Sequence, residues 1–439
     1  MFRRSSVAIW GCRVVTSPVA PTRWWGTRLR SATSSRSGAS GSAWTGSSWC
    51  APSSTGSRPR STPSSRCVRL TKGVRVAPLR IGLAGVGFAG LRHLKAFSVR
   101  PDCEVVALAG VEGETVGSVA AEYGVRETHI RWEDLVARDD LDVVCLALPN
   151  ALHAPAATAA LRAGKHVLCE KPMARTATEA EAMVAAATEA DRVLHVVFNR
   201  RYHPEVGIVR EAVAAGRLGT VYHARAWWMR RAGIPGRNTW YTSREQAGGG
   251  PLADLGTHAL DMALVMLGEP DVVSVSAAAY DQLGRQGVGV IDSAALASDH
   301  DGFEVEDFAT AFVRLAGGAT LQLEAAWATH SQYYNEYGVQ LFGSAAGALV
   351  RVDTRVPGSA LRLFSAGGDQ ESSSGRVDGH AGAVGDFVAA IHSGQWDGHR
   401  GTAALARVRV IDAAYRSAEA GREVPITPTG PVPGQPVIR

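Results

Sequence analysis

The sequence predicts an α/β protein: a parallel sheet wrapped by helices, then a C-terminal α+β domain with a large, mostly antiparallel open sheet. Three observations carry this. Between residues 79 and 200, short apolar runs alternate with helical stretches, the pattern of successive strand–helix units. The run Gly85-Val86-Gly87-Phe88-Ala89-Gly90 ends the first of those strands and opens the first helix. Beyond about residue 200, strand-like runs dominate and several alternate apolar with polar residues.

The elements follow in order. Leu79 to Ala84 reads as a strand, and a helix runs on through Phe97. Glu104 to Ala109 is a second strand and Thr115 to Tyr123 a helix. Val143 to Leu148 is a strand without alternation, as expected when both faces are covered. The Ala-rich stretch from Ala151 to Ala163 is a helix and His166 to Cys169 a short strand. Ala177 to Ala190 is a helix and Val193 to Phe198 a strand. In the second half, Glu205–Ala215 and Pro251–Leu267 read as helices. Strands are expected at Val221–Trp228, Val272–Ala279, Asp307–Leu315, Ala319–Ala326, Tyr337–Phe342 and Leu349–Val352. Helices over Ala383–Ser393 and Ala403–Ala420 close the chain.

Length and charge narrow the function. A chain of 439 residues suggests about two domains. No window of 18 uncharged apolar residues occurs, so no spanning helix is expected. The formal charge of +5 is uneven: residues 1–79 hold 13 of the 46 Lys and Arg and no acid. The remaining 33 basic residues face all 41 acidic ones. An acidic body offers no groove for nucleic acid. Residues 1–78 lack apolar periodicity and are set apart as a disordered extension or a start assigned too far upstream, with targeting as a further reading. Cys103, Cys145 and Cys169 lie in strand-like contexts with no CxxC pair, which points to buried thiols and a reducing, cytoplasmic compartment.

Gly85, Gly87 and Gly90 fit the GxGxxG pattern of a dinucleotide-binding Rossmann turn. The first permits the tight turn, the second lets backbone approach a pyrophosphate, and the third lets helix pack on strand. Phe88 and Ala89 lie within the same turn. An acid is expected at the end of the second strand to hold ribose hydroxyls, but Gly110 stands there. Glu112, two residues on, is the substitute, or else a solvated residue at the next helix. No Lys or Arg adjoins it, so NAD is expected over NADP.

Candidate chemistry lies at the carboxyl ends of the later strands, where ligand crevices of open α/β sheets form. Lys171 leaves the strand of His166 to Glu170 and is followed by Pro172; a cation there would stabilise a developing alkoxide, or else is a solvated loop lysine. Asp254 and His258 stand four apart on a helix after Gly248-Gly249-Gly250, with Asp261 three further on. Such a pair suits proton transfer by an imidazole that a carboxylate orients, or a buried hydrogen bond. Spacing suggests no third metal ligand, so no metal is expected. Pro149, Asn150 and His153 end another strand, where Asn150 contacts nicotinamide or caps a helix. Asn199, Arg200 and Trp240 are placed to meet a hydroxylated substrate, or serve interdomain packing.

Taken together, GVGFAG, PNALH, GKHVLCEKP and GGGPLADLGTH resemble the Gfo/Idh/MocA oxidoreductase family over about residues 79–425. The resemblance implies a Rossmann domain over 79–200 and a C-terminal domain from 201 whose sheet often forms an oligomer interface. It also implies a nicotinamide cofactor and a sugar, glycoside, inositol or polyol substrate. By position, Lys171, Asp254 and His258 would be catalytic, and Glu170 and Pro172 would shape the nicotinamide pocket. A dimer or tetramer is the implied assembly. A redox-neutral glycoside-processing enzyme and a non-catalytic sugar or dinucleotide sensor are the alternatives.

Overall fold

The computed structural model describes residues 77–236, 239–291, 302–356, 358–375 and 377–426. The expectation for residues 1–78 therefore lies almost wholly outside the described residues. The first sheet holds β1 (Leu79–Ala84), β2 (Cys103–Ala109), β3 (Glu127–His129), β4 (Val143–Leu146), β5 (His166–Glu170) and β6 (Leu194–Val197). Its order is β3-β2-β1-β4-β5-β6 and every pairing is parallel. The crossovers carry α1 (Phe88–Ser98), α2 (Gly113–Tyr123), α3 (Trp132–Val136), α4 (Asn150–Arg162) and α5 (Ala177–Glu189). The order reverses between β1 and β4, which opens a crevice at their carboxyl ends. Strand β3 and helix α3 had no clear sequence signal, since three polar strand residues show no period.

The second sheet is larger. It contains β7 (Val221–Arg230), β8 (Val272–Tyr280), β9 (Phe308–Leu315), β10 (Thr320–Ala326), β11 (Asn335–Gly343), β12 (Ala346–Asp353), β13 (Ser359–Ser365), β14 (Gln370–Ser374) and β15 (Val424–Pro425). The order is β14-β13-β12-β11-β7-β10-β9-β8-β15. All pairs are antiparallel except β7 with β10 at the centre. Helices α6 (Pro204–Ala214), α7 (Arg244–Ala247), α8 (Thr257–Met266), α9 (Gly379–Ser393) and α10 (Thr402–Ala420) complete the described chain.

One core lies between the second sheet and α6, α8 and the end of α10, around Leu260, Trp327, Val339 and Ile411. The first sheet is covered on both faces. Ile81, Leu83, Leu94 and Phe97 pack with Phe387 and Val388 of α9 on one side. Leu146, Val167, Ala156 and Met183 pack with Leu405 and Val408 of α10 on the other. The closing helices thus return to the first sheet, and α10 joins both cores. No described helix is long and apolar enough to cross a membrane.

Pleating sorts the adjacent tryptophans of β7. Trp228 faces the helices, stacked on Tyr337 of β11 with centroids 4.3 Å apart. Trp227 faces away, in a separate cluster with Met229 and Ala326. Strand alternation thus sends the two neighbouring rings to opposite faces.

Candidate active site

The glycine turn has the shape a dinucleotide requires. Gly85 has φ +92°, and a Cβ there would lie 2.1 Å from the Ala147 carbonyl oxygen. A Cβ on Gly90 would lie 1.8 Å from the Gly85 carbonyl oxygen, so helix and strand close only around glycine. A Cβ on Gly87 would meet nothing within 4 Å. Open space at the second glycine, with no side chain capping α1, leaves first-turn amides directed at an incoming anion. Phe88 is exposed and Ala89 half-buried beside that space. The turn fits a pyrophosphate. Glu112 is exposed at the start of α2 and its side chain makes no cap.

At the end of β5, the polar groups converge. Lys171 Nζ donates to Asp254 Oδ1 at 2.6 Å and to the Asp254 backbone oxygen at 2.9 Å. Trp327 Nε1 donates to Asp254 Oδ2 at 2.9 Å. Burial acts to raise the Asp254 carboxyl; the Lys171 and Arg230 cations and these hydrogen bonds outweigh it and hold it below the ordinary value. His258 is buried, and Trp228 lies against it with ring centroids 5.5 Å apart. Burial first, then the charges of Lys171 and Arg200, push this imidazole well below its usual value, so it is neutral at pH 7. Its buried Nδ1 has no partner.

The expected Asp254–His258 pairing is not what forms. A π-helical turn spans Leu252–Gly256 before α8 begins, so a spacing of four no longer superposes side chains. The carboxylate turns to Lys171 and Trp327 instead. Asp261 leaves the site altogether and binds Arg201 and Arg407. The π-turn is anchored by Glu306, which sequence reading missed: its carboxylate accepts from the amides of Gly250 (2.9 Å) and Leu252 (3.0 Å) and from Tyr415 Oη (2.9 Å). A Cβ on Gly249 would lie 1.9 Å from Tyr415 Oη, which explains the glycine run.

Glu170 is buried beneath Lys171. It accepts from His93 Nε2 at 2.8 Å and from the Lys171 amide at 3.1 Å, and His380 Nε2 lies 3.7 Å away. These two imidazoles and the carboxylate place one atom each within 4.8 Å, and the His93 contact is a hydrogen bond. Pro172 follows a cis Lys171–Pro172 bond and is buried. Asn150 begins α4 after Pro149, but its amide is occupied with the Ala247 carbonyl at 2.8 Å. His153 is 1% exposed, with Nδ1 2.7 Å from the Pro172 oxygen and Nε2 2.9 Å from the Leu148 oxygen. Both side chains fasten the crevice wall rather than open onto it.

Asn199 donates to the His380 ring at 3.2 Å, while its Oδ1 is buried without a partner. Arg200 covers Trp228 at 5.1 Å and Tyr337 at 5.0 Å. Trp240 is half-buried and stacks on Tyr241 at 3.8 Å. Burial, then the Asp254 and Glu170 carboxylates, raise the Tyr241 phenol to about 12. Arg230, Trp327 and His380 join the cluster from distant segments; no local pattern marked them.

Residues 79–198 match the model described as the oxidoreductase family, NAD-binding Rossmann fold, and residues 207–349 match the GFO/IDH/MocA C-terminal domain. The chain is 33% identical over 280 residues to D-glucoside 3-dehydrogenase of Escherichia coli (strain K12), covering 62% of this chain and 77% of that protein. It is 29% identical over 357 residues to inositol 2-dehydrogenase of Rhizobium meliloti (strain 1021), covering 79% and 99%. A levoglucosan dehydrogenase solved with NADH and levoglucosan superposes with a TM-score of 0.68 at 25% identity, covering 81% of this chain and all of that one. This chain is a member of the GFO/IDH/MocA family of NAD-binding oxidoreductases.

Proposed function

We propose that the protein oxidises a secondary hydroxyl of a sugar, glycoside, inositol or related polyol, with Lys171, Asp254 and His258 as the catalytic residues. NAD, when bound, accepts the hydride from the carbinol carbon. The glycine turn and Glu112 would hold its pyrophosphate and ribose; Pro149, Glu170 and Pro172 would border the nicotinamide. His258, held neutral by burial and neighbouring cations, takes the hydroxyl proton and passes it to solvent. The Lys171 ammonium stabilises the oxygen as its charge develops. Asp254 fixes Lys171 Nζ by accepting its hydrogen bond. Asn199, Arg200 and Trp240 are read as the substrate wall.

The observation that carries this reading is the 2.6 Å contact between a lysine of the first sheet and an aspartate preceding α8, one helical turn from a buried imidazole. Its test is a panel of sugars and inositols offered with NAD and with NADP. Net NADH accumulation with at least one neutral or charged polyol is expected. Turnover without net NADH would instead mark a redox-neutral enzyme, and binding without any turnover a sensor.

The sheet face carrying Trp227, Met229 and Phe312 lies opposite the helices and is the expected contact of a dimer or tetramer. Light scattering showing a monomer would contradict it. Free Cys103, Cys145 and Cys169 suit a reducing, cytoplasmic setting.

A further inference from the structure

The wall of the site carries more positive charge than the proposed reaction uses. Arg200 and Arg230 approach the same Trp228 ring, with guanidinium carbons 5.1 and 5.6 Å from its centroid. Trp228 in turn packs against His258. Both Nε atoms are buried without a partner. Among the described residues neither arginine has a carboxylate within 4.0 Å; the only side-chain bond of the pair is Arg230 Nη1 to the Gly233 oxygen at 3.4 Å.

None of the nearby acids pairs with these arginines. Asp254 is committed to Lys171 and Trp327. Glu170 is committed to His93. Glu205, buried at the start of α6, makes no ion pair with either arginine. Other arginines in the fold show the contrast: Arg201 and Arg407 meet Asp261, and Arg225 meets Glu324. Desolvating a cation is costly unless a counter-charge and hydrogen bonds compensate. Burial lowers Arg230 from its ordinary value, and the Asp254 carboxylate offsets this only in part. The dinucleotide's pyrophosphate is accounted for by the glycine turn, so it does not supply the missing charge.

We propose that Arg200 and Arg230 form an anion subsite, and that the physiological substrate is a polyol bearing a carboxylate or a phosphate. The anionic group takes the two free guanidinium edges while the hydroxyl to be oxidised lies toward His258 and Lys171. The Trp228 ring backs both arginines and Tyr337 backs Arg200, shielding them from water, which strengthens charge-assisted bonds. This rests on the dehydrogenase reading for its orientation, but not for its charge.

The test uses the enzyme–NADH complex and matched probes: D-glucose, D-glucuronate and D-glucose 6-phosphate, and the galactose set. Binding is read from NADH fluorescence and turnover from NADH formed with NAD. At least one charged probe is expected to bind about tenfold or more tighter than its neutral parent. That preference should fall with added salt, vanish in Arg200→Met and Arg230→Met, and persist in the Arg→Lys variants. Whether carboxylate or phosphate binds tighter identifies the group. Neutral parents binding as well as every charged probe, no charged probe binding, or a preference retained in both Met variants would each overturn the subsite. Charged binding with no NADH from any probe would uphold it and sink the dehydrogenase reading. NADH from neutral sugars at equal kcat/KM would do the reverse.

Discussion

At the scale of single residues, the proposed site depends on what its neighbours do to Lys171, Asp254 and His258. The lysine and the imidazole were legible because polar residues at a strand end and on an apolar helix need a reason. Their partners were not. Nothing local links Asp254 to Trp327, 73 positions away, or sets Arg230 beside the pair. The expected Asp254–His258 contact failed because it assumed an α-helix where a π-turn stands. Because His258 lies well below its usual value, kcat/KM for oxidation should stay flat between about pH 6.5 and 8. A His258-dependent acid limb near 6.5 would contradict this. Gly87→Ala should fold normally, since its Cβ meets open space, yet weaken NAD binding by about tenfold or more. A titration of NADH fluorescence beside a thermal melt separates the two effects.

At the scale of elements, strands and helices with clear apolar periods were readable, whereas β3, β13 and β14 were not. Gln370–Ser374 is polar and mostly exposed and owes its strand state to pairing with β13. The helices α8 and α10 are locked by charge as well as packing. Arg407, 1% exposed, bonds Asp261 at 3.1 Å and Glu269 at 2.6 Å. Arg407→Ala leaves a fully buried carboxylate with one partner fewer and should cost about 3–5 kcal/mol. Urea unfolding would show it; a loss under about 1 kcal/mol would mean the helices hold by apolar contact alone.

At the scale of the whole molecule, two sheets and a shared α10 bring the β5 end and the α8 start together. The sequence pattern revealed both sheets, but periodicity alone could not show that α9 packs on the first one. Buried imidazoles also set the molecule's acid limit. Burial is the main force holding His166 and His380 at about 4 and His195 at about 3, against 6.5 for a free imidazole. Between pH 6.5 and 4 the unfolded chain therefore binds more protons than the native one, so stability falls as pH falls. Glu306 and Asp307, raised by burial, pull the other way but are fewer. The melting temperature should be lower at pH 5.0 than at pH 7.5; an equal or higher value at pH 5.0 would contradict this balance.

The most direct test of the central claim is single-turnover NADH formation by Lys171→Ala, with NAD affinity measured alongside. With the ammonium in the proposed role, the rate should fall by about 10² or more while NAD binds within a few-fold of normal. A rate within threefold of the parent enzyme, at full NAD occupancy, would show that Lys171 and its bond to Asp254 do not carry the reaction.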